Sequence, residues 1–348
     1  MKLFGGSRFE ALANRRNLAL DIFPFLRGRV SGVRRLIGNF SDLAEVLRFV
    51  NSAEAEQLAH LGTSCPDHFI RTKVRPMFVP WHPVESVQGL RELIDSALKN
   101  YRKEYAEYYD SFALPDSPAM RDANPTVVLI PGIGMFSFGK SKTEARLTGE
   151  FYVNAIHVME GATSLDTGKT PSTLPQAGAA TPTSAFTVHA NYVALPPSEA
   201  FRIEYWQLEE AKIRRQPAEK ELSRHVVLIV GGGSGIGREA ALLAAERGAH
   251  VVVADRDHEA AMRVAEETKG IAGKEGGLSV AVDIRRRDVI RRSLRELVAA
   301  FGGLDVLINT AALFPSSKDG QVTDEQWELR STSMLRQIIF WSMKPRVS

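Results

Sequence analysis

The stretch "HVVLIVGGGSGIGREAALLAAERGAHVVVAD" (225–255) decides the fold of the C-terminal part of the chain. It opens on a continuous apolar run, passes through a glycine-rich turn, continues as an Ala- and Leu-rich segment closed by Gly248, and returns to a second apolar run. Uninterrupted apolar strands separated by a helix signify parallel pairing buried on both faces. A glycine just past the last helical position stops the helix. The rhythm repeats. Residues 257–269 predict a helix, "LSVAVD" (278–283) a third strand, 287–301 another helix and "LDVLIN" (304–309) a fourth strand. Strands at this spacing imply an α/β domain with a parallel sheet and right-handed crossovers.

The turn "VGGGSGIG" (230–237) places Gly231, Gly235 and Gly237 in the spacing G-x-x-x-G-x-G, with Ser234 and Ile236 completing the candidate set. Small residues are needed there. The turn is tight, the backbone must come close to a pyrophosphate, and the helix amides then face the phosphates. Asp255 ends the second strand 18 residues after Gly237. A carboxylate at that point accepts hydrogen bonds from a ribose 2′-hydroxyl and repels a 2′-phosphate, which favours NAD over NADP. Arg256 is adjacent and pulls the other way. The competing reading is a glycine-rich turn in an α/β domain of another use.

These residues resemble the short-chain dehydrogenase/reductase family. The resemblance implies that Asp283 lies at the adenine side of the cofactor and that Asn309 opens the family's Asn-Asn-Ala-Gly segment beside it. Thr310 and Ala312 stand where that segment has its second Asn and its Gly. It also implies catalysis by a Tyr, a Lys four residues later and a Ser. A phenol with an ordinary pKa near 10 is a poor base at neutral pH unless a cation sits close. The last tyrosine of the sequence is Tyr205, upstream of the glycine turn. No catalytic residue is therefore assigned, and the sequence reads as an incomplete dehydrogenase domain whose open sheet edge would invite pairing with a second copy.

Residues 329–348 continue none of these patterns. Back-translating 330–346 with permitted codons and reading one nucleotide out of phase gives Ala-Val-Asp-Ile-Asn-Val-Thr-Ala-Asn-Tyr-Leu-Leu-Val-Asp-Glu-Ala-Ala, an amphipathic helix of the kind the family places after its fourth strand. The expectation is a frameshifted fragment; the alternative is a divergent natural terminus.

The first half predicts helices over 9–25, 42–50, 84–109 and 143–159, a buried strand over 126–132 and an extended "FSFG" (136–139). Residues 161–198 are rich in Thr, Pro and small side chains and read as a linker, and 199–215 as a connecting helix. "GTSCPDHFIRTKVRPMFVPW" (62–81), "VVLIPGIGMFSFGKSKTEARLTGEFYVNAIHVM" (127–159) and "EAFRIEYWQLEEAKIRR" (199–215) together resemble the family of bifunctional rhamnulose-1-phosphate aldolase/short-chain dehydrogenases. The resemblance implies a partial class II aldolase/adducin-like α/β domain over 1–160 and an N-terminal Rossmann-type part over 216–328. It further implies cleavage of rhamnulose 1-phosphate in rhamnose catabolism, with NAD-dependent oxidation of the lactaldehyde formed.

Class II aldolases hold their metal with a His-x-His pair, and none of the eight histidines here forms one, so no metal ligand is assigned. His68, beside Asp67 and Cys65, reads first as a hydrogen-bonded structural histidine. Cys65 reads as packed rather than reactive, since nothing near it in sequence lowers a thiol pKa. "GMFSFGKS" (134–141) matches the P-loop spacing, which makes a nucleotide hydrolase a third reading, although Met135, Phe136 and Phe138 are bulky for a loop that must wrap phosphate. The second reading is a non-catalytic interaction or sensing protein that binds NAD. Net charge is only +3 over 348 residues, so charge gives no ground for a nucleic-acid or membrane partner. A single cysteine rules out an internal disulfide. No apolar run approaches the roughly 20 residues that span a bilayer. A cytoplasmic protein acting on a small molecule, and able to self-associate, is the expectation.

Overall fold

The computed structural model describes residues 3–83, 85–165, 191–311 and 323–324. The atypical tail at 329–348 and Ala312 lie outside the described residues. The chain divides into two compact units, Met1–Ala218 and Glu219–Ser348.

Unit 1 runs α1 (Arg15–Val30), β1 (Ile37–Ser41), α2 (Ala44–Val50), α3 (Ala55–Leu61), α4 (Phe69–Thr72), β2 (Met77–Phe78), α5 (Val87–Phe112), β3 (Val127–Ile130), β4 (Gly134–Gly139), α6 (Lys142–Leu165), α7 (Pro197–Glu204) and α8 (Gln207–Arg214). Its sheet has the order β1-β4-β3-β2, with β2 and β3 parallel and the other pairs antiparallel. All six residues of β4 are buried. Alternation along a strand sends Met135 and Ser137 to one face and Phe136 and Phe138 to the other. On the first face Met135 joins Val127, Leu129, Phe49 and α6 residues Tyr152, Ile156 and Met159 in one core. On the second, the Phe23 ring of α1 meets Phe136 edge-on at 5.0 Å. Gly149 lets α6 approach, since a Cβ there would stand 2.8 Å from Ser137 Oγ.

Several expectations shift. The segment before Arg15 is held by backbone bonds, Phe9 N to Asn51 O and Leu12 N to Gly132 O, so the first helix starts later than the sequence suggests. α6 runs to Leu165, four residues past the start of the expected linker at 161. The connecting helix expected over 199–215 is two helices broken at Tyr205–Trp206. Glu204 is buried there, and the Tyr205 hydroxyl is 2.7 Å from that of Tyr105 on α5, which fixes the break. The P-loop reading gives way: residues 134–139 form a strand paired on both sides, so their amides belong to the sheet ladder.

Unit 2 runs β5 (Val226–Val230), α9 (Gly235–Glu246), β6 (His250–Asp255), α10 (His258–Ala272), β7 (Gly277–Ala281), α11 (Arg287–Phe301) and β8 (Val306–Asn309). The strands are parallel in the order β7-β6-β5-β8. Val227, Ile229, Val251 and Val253 pack under Ala241, Ala244 and Ala245 of α9 and Ala261, Val264 and Ala265 of α10. The small alanines let both helices lie close to the sheet. Gly248 ends α9 at φ +93°, the left-handed conformation that stops a helix. Because β6 and β8 flank β5 on opposite sides, the chain reverses direction across the sheet at the C-terminal end of β5. Such switch points are where open α/β sheets leave a crevice.

Candidate dinucleotide-binding site

That crevice is a cleft of about 320 Å³ lined by Gly231, Ser234, Ile236 and Gly237 at one end and Asp255, Arg256, Asp283 and Arg285 at the other. Val230, Val282, Ile284, Thr310 and Ala311 complete its wall. The residues come from the ends of all four strands, brought together only by the parallel register.

The glycine turn is built by close contact. Gly231 takes φ +80°, and a Cβ there would lie 2.7 Å from Ala311 N. At Gly237 a Cβ would fall 2.1 Å from Gly231 O, so the first turn of α9 presses directly on the end of β5. Gly235 takes φ +53° with no heavy atom within 4 Å of the added Cβ, so space lies open above it. Ser234 occupies the N-cap of α9, yet its side chain makes no capping hydrogen bond. The first amides of the helix are left for another acceptor, and its positive dipole end favours an anion. A diphosphate fits this set.

At the other end, Asp255 Oδ2 accepts from Gly233 N at 2.9 Å and Oδ1 accepts from Asp257 N at 3.0 Å. Two backbone amides thus orient the carboxylate, and its remaining lone pairs are available to ribose hydroxyls. Gly233 is needed for this, since a Cβ there would stand 2.9 Å from Asp255 Oδ2. Asp283 is gripped by Arg285 through Nε to Oδ1 at 3.0 Å and Nη2 to Oδ2 at 2.7 Å. The guanidinium holds the Asp283 carboxyl down at about 2.

Of the residues singled out in the sequence, Gly231, Ser234, Ile236, Gly237, Asp255 and Asp283 share the cleft. Gly235 faces the adjoining shallow surface with Ile236 and Leu243. Asn309 ends β8, where its Oδ1 accepts from Ala311 N at 3.1 Å, and its neighbours Thr310 and Ala311 reach the cleft instead. Thr310 stands where the resemblance has an Asn. Its hydroxyl lies 2.9 and 3.1 Å from the carbonyls of Val230 and Gly231 and donates to that pair, tying β8 to the turn. Arg285 and Gly233 went unread. The pattern Asp-x-Arg at a strand end was the available signal for the first, and three consecutive glycines for the second.

His68 is buried, its ring edge-on to Phe151 at 5.0 Å. Lys140 donates to Gln216 Oε1, a surface contact within unit 1. No three His, Cys, Asp or Glu side chains come together as a metal set among the described residues. Among those residues, no helix is long and apolar enough to cross a membrane. Unit 1 has a larger cavity, about 660 Å³, lined by Tyr101, Tyr105, Tyr108 and residues 193–197. The Tyr105 hydroxyl is turned to Glu204 inside the fold, and although His60, Arg75 and Glu104 reach that cavity its exposed lining is mainly apolar, unlike that of the cleft in unit 2.

Residues 17–213 match the family model for aldolase class II, second domain. The chain belongs to that class II aldolase family. Residues 225–335 match the short chain dehydrogenase model, so the protein joins an aldolase domain to a short-chain dehydrogenase domain. It is similar to the uncharacterized oxidoreductase YuxG of Bacillus subtilis, 34% identical over 331 residues, which are 94% of this chain and 44% of that protein. The dehydrogenase part is similar to the short chain dehydrogenase/reductase astE of Aspergillus oryzae, 34% identical over 31% of this chain and 41% of that one. The chain spans less than half the length of these relatives. A crystal structure of 3-ketoacyl-(acyl-carrier-protein) reductase from Brucella melitensis complexed with NADH is 31% identical over 33% of this chain and 46% of that chain, with a TM-score of 0.30. Short-chain dehydrogenases bind nicotinamide cofactors.

Proposed function

We propose that the cleft of unit 2 binds a nicotinamide dinucleotide, NAD in preference to NADP, and serves hydride exchange with a small alcohol or aldehyde. The aldolase partner domain points to a sugar-derived aldehyde, with lactaldehyde released from rhamnulose 1-phosphate as the candidate. The observation that carries the reading is Asp255. Its carboxylate lines the cleft with both oxygens fixed by backbone amides, so it presents negative charge where a 2′-phosphate would sit. The turn at Gly231 and Gly237 and the uncapped first amides of α9 supply the diphosphate end. The bound nicotinamide would supply the hydride acceptor or donor.

Arg256 lines the same end and offsets part of the repulsion, so the preference is one of degree. Calorimetric titration tests it. NADH should bind at least tenfold more tightly than NADPH, and Asp255→Ser should bring the two within a few-fold of each other. Tighter NADPH binding by the unaltered chain, or no binding of either, would overturn the reading.

A second reading is favoured by one observation. No tyrosine of the 348 residues follows Tyr205, which is buried in unit 1. Taken by itself this chain is expected to bind the cofactor and not to turn over lactaldehyde. Steady NADH production from NAD and lactaldehyde by the purified chain would refute that expectation.

A further inference from the structure

The adenosine end of the cleft carries a side chain that neither the glycine motif nor the acid at the end of β6 accounts for. Arg285 follows β7 in the run "DIRRRD" (283–288). Its backbone amide donates to Asp283 Oδ1 at 3.0 Å, which closes a tight turn and brings the guanidinium back along its own loop. Nε and Nη2 then engage the two oxygens of Asp283 side by side. A paired fork of this kind fixes the plane of the guanidinium as well as its position. Two of its five in-plane N–H donors are spent on the carboxylate. The two flat faces are not, and the side chain remains 58% exposed on the wall of the cleft. Val282 and Ile284 contribute apolar surface to the same wall.

A planar cation held edge-on by an acid, beside aliphatic side chains, is suited to a flat heteroaromatic ring. Guanidinium planes stack on such rings, and a lysine ammonium, a compact hydrated charge, does not substitute for them. Asp283 is not exhausted by the grip. A carboxylate has about four lone-pair directions, and the two side-chain bonds and the backbone amide use three. One direction is left for a ring amino group in the plane of the acid.

We propose that Arg285 is a binding residue for the adenine ring of the dinucleotide, stacking one guanidinium face on the base while Asp283 holds it in position. The proposal rests on the dinucleotide reading of the cleft. The Asp283 carboxyl, held at about 2, keeps the fork charged across the whole range of ordinary assay conditions.

The test uses the full 348-residue chain and two probes, NADH and reduced nicotinamide mononucleotide, which lacks the adenosine. Loss of one stacked base contact corresponds to roughly tenfold in affinity. Arg285→Ala should therefore weaken NADH about tenfold and leave the mononucleotide unchanged. Arg285→Lys should weaken NADH nearly as much, because it keeps the charge and loses the plane. Wild-type NADH affinity in either variant overturns the proposal while leaving the dinucleotide reading in place. Equal weakening of both probes overturns it too, since the residue would then be supporting the cleft generally. No NADH binding by the unaltered chain overturns the proposal and the dinucleotide reading together.

Discussion

At the scale of single residues, the cleft is governed by where a methyl group would go. Gly237 has no room: its Cβ would overlap Gly231 O at 2.1 Å and crowd Thr310 Oγ1 at 2.6 Å. Gly237→Ala should force β5 and α9 apart, abolish NADH binding and destabilise unit 2 by about 1–3 kcal/mol, the usual cost of overpacking. Titration and thermal unfolding of the variant check both parts. Gly235→Ala is a different case. Space is open there, but φ +53° is left-handed, and a side chain costs about 1–2 kcal/mol in that conformation. These glycines were legible because their spacing encodes a turn. Arg285 was not, because its partner lies two residues away across a loop, a contact that no helical or strand period announces. Thr310 makes a related point. The motif names a residue type, while the structure needs only a short hydroxyl able to reach two carbonyls.

Among the elements, the parallel strands of unit 2 were legible as apolar runs bounded by glycine. β1 was missed, since "IGNFS" carries no clear alternation, and β2 is only two residues long. The break between α7 and α8 was also missed, because it depends on a buried polar group meeting partners from distant sequence. Glu204 accepts from the Tyr105 hydroxyl at 2.7 Å and is only 1% exposed. Lys73 Nζ donates to Asp122 O and lies 3.8 Å over the Tyr105 ring. Burial pushes the Glu204 carboxyl up and pulls the Lys73 ammonium down to about 8. The unfolded lysine titrates near its ordinary 10.5, so between about 8 and 10.5 the unfolded chain holds a proton that the folded chain has released. Stability from this group therefore rises with pH across that window. Burial pushes Tyr105 and Tyr108 well up, so their opposing loss begins only above about 10. Thermal midpoints at about pH 7.5 and 9.5 should show a rise in the unaltered protein that is flattened in Lys73→Met. Parallel slopes in the two would mean that the burial of Lys73 does not set this dependence.

For the whole molecule, the division at Ala218 and Glu219 separates two cores with different chemistry. The proposed cofactor contacts all lie in unit 2. A ligand that binds only the folded state stabilises it by about 2.7 kcal/mol at a hundredfold excess over its Kd. Scanning calorimetry with saturating NADH should therefore raise the transition of unit 2, identified as the one that Gly237→Ala lowers. A cofactor effect that persists in Gly237→Ala would place the binding elsewhere.

The seam between α5 and α7 bears on what a protease could achieve. Phe201 and Tyr205 stack at 4.6 Å and pack among Tyr108, Tyr109 and Phe112, with the Glu204–Tyr105 bond beneath them. A single cleavage anywhere between Leu165 and Asn191 would leave this seam whole. The two pieces should then migrate together on gel filtration and part only in denaturant, so that unit 1 survives as a nicked, non-covalent heterodimer of its own fragments.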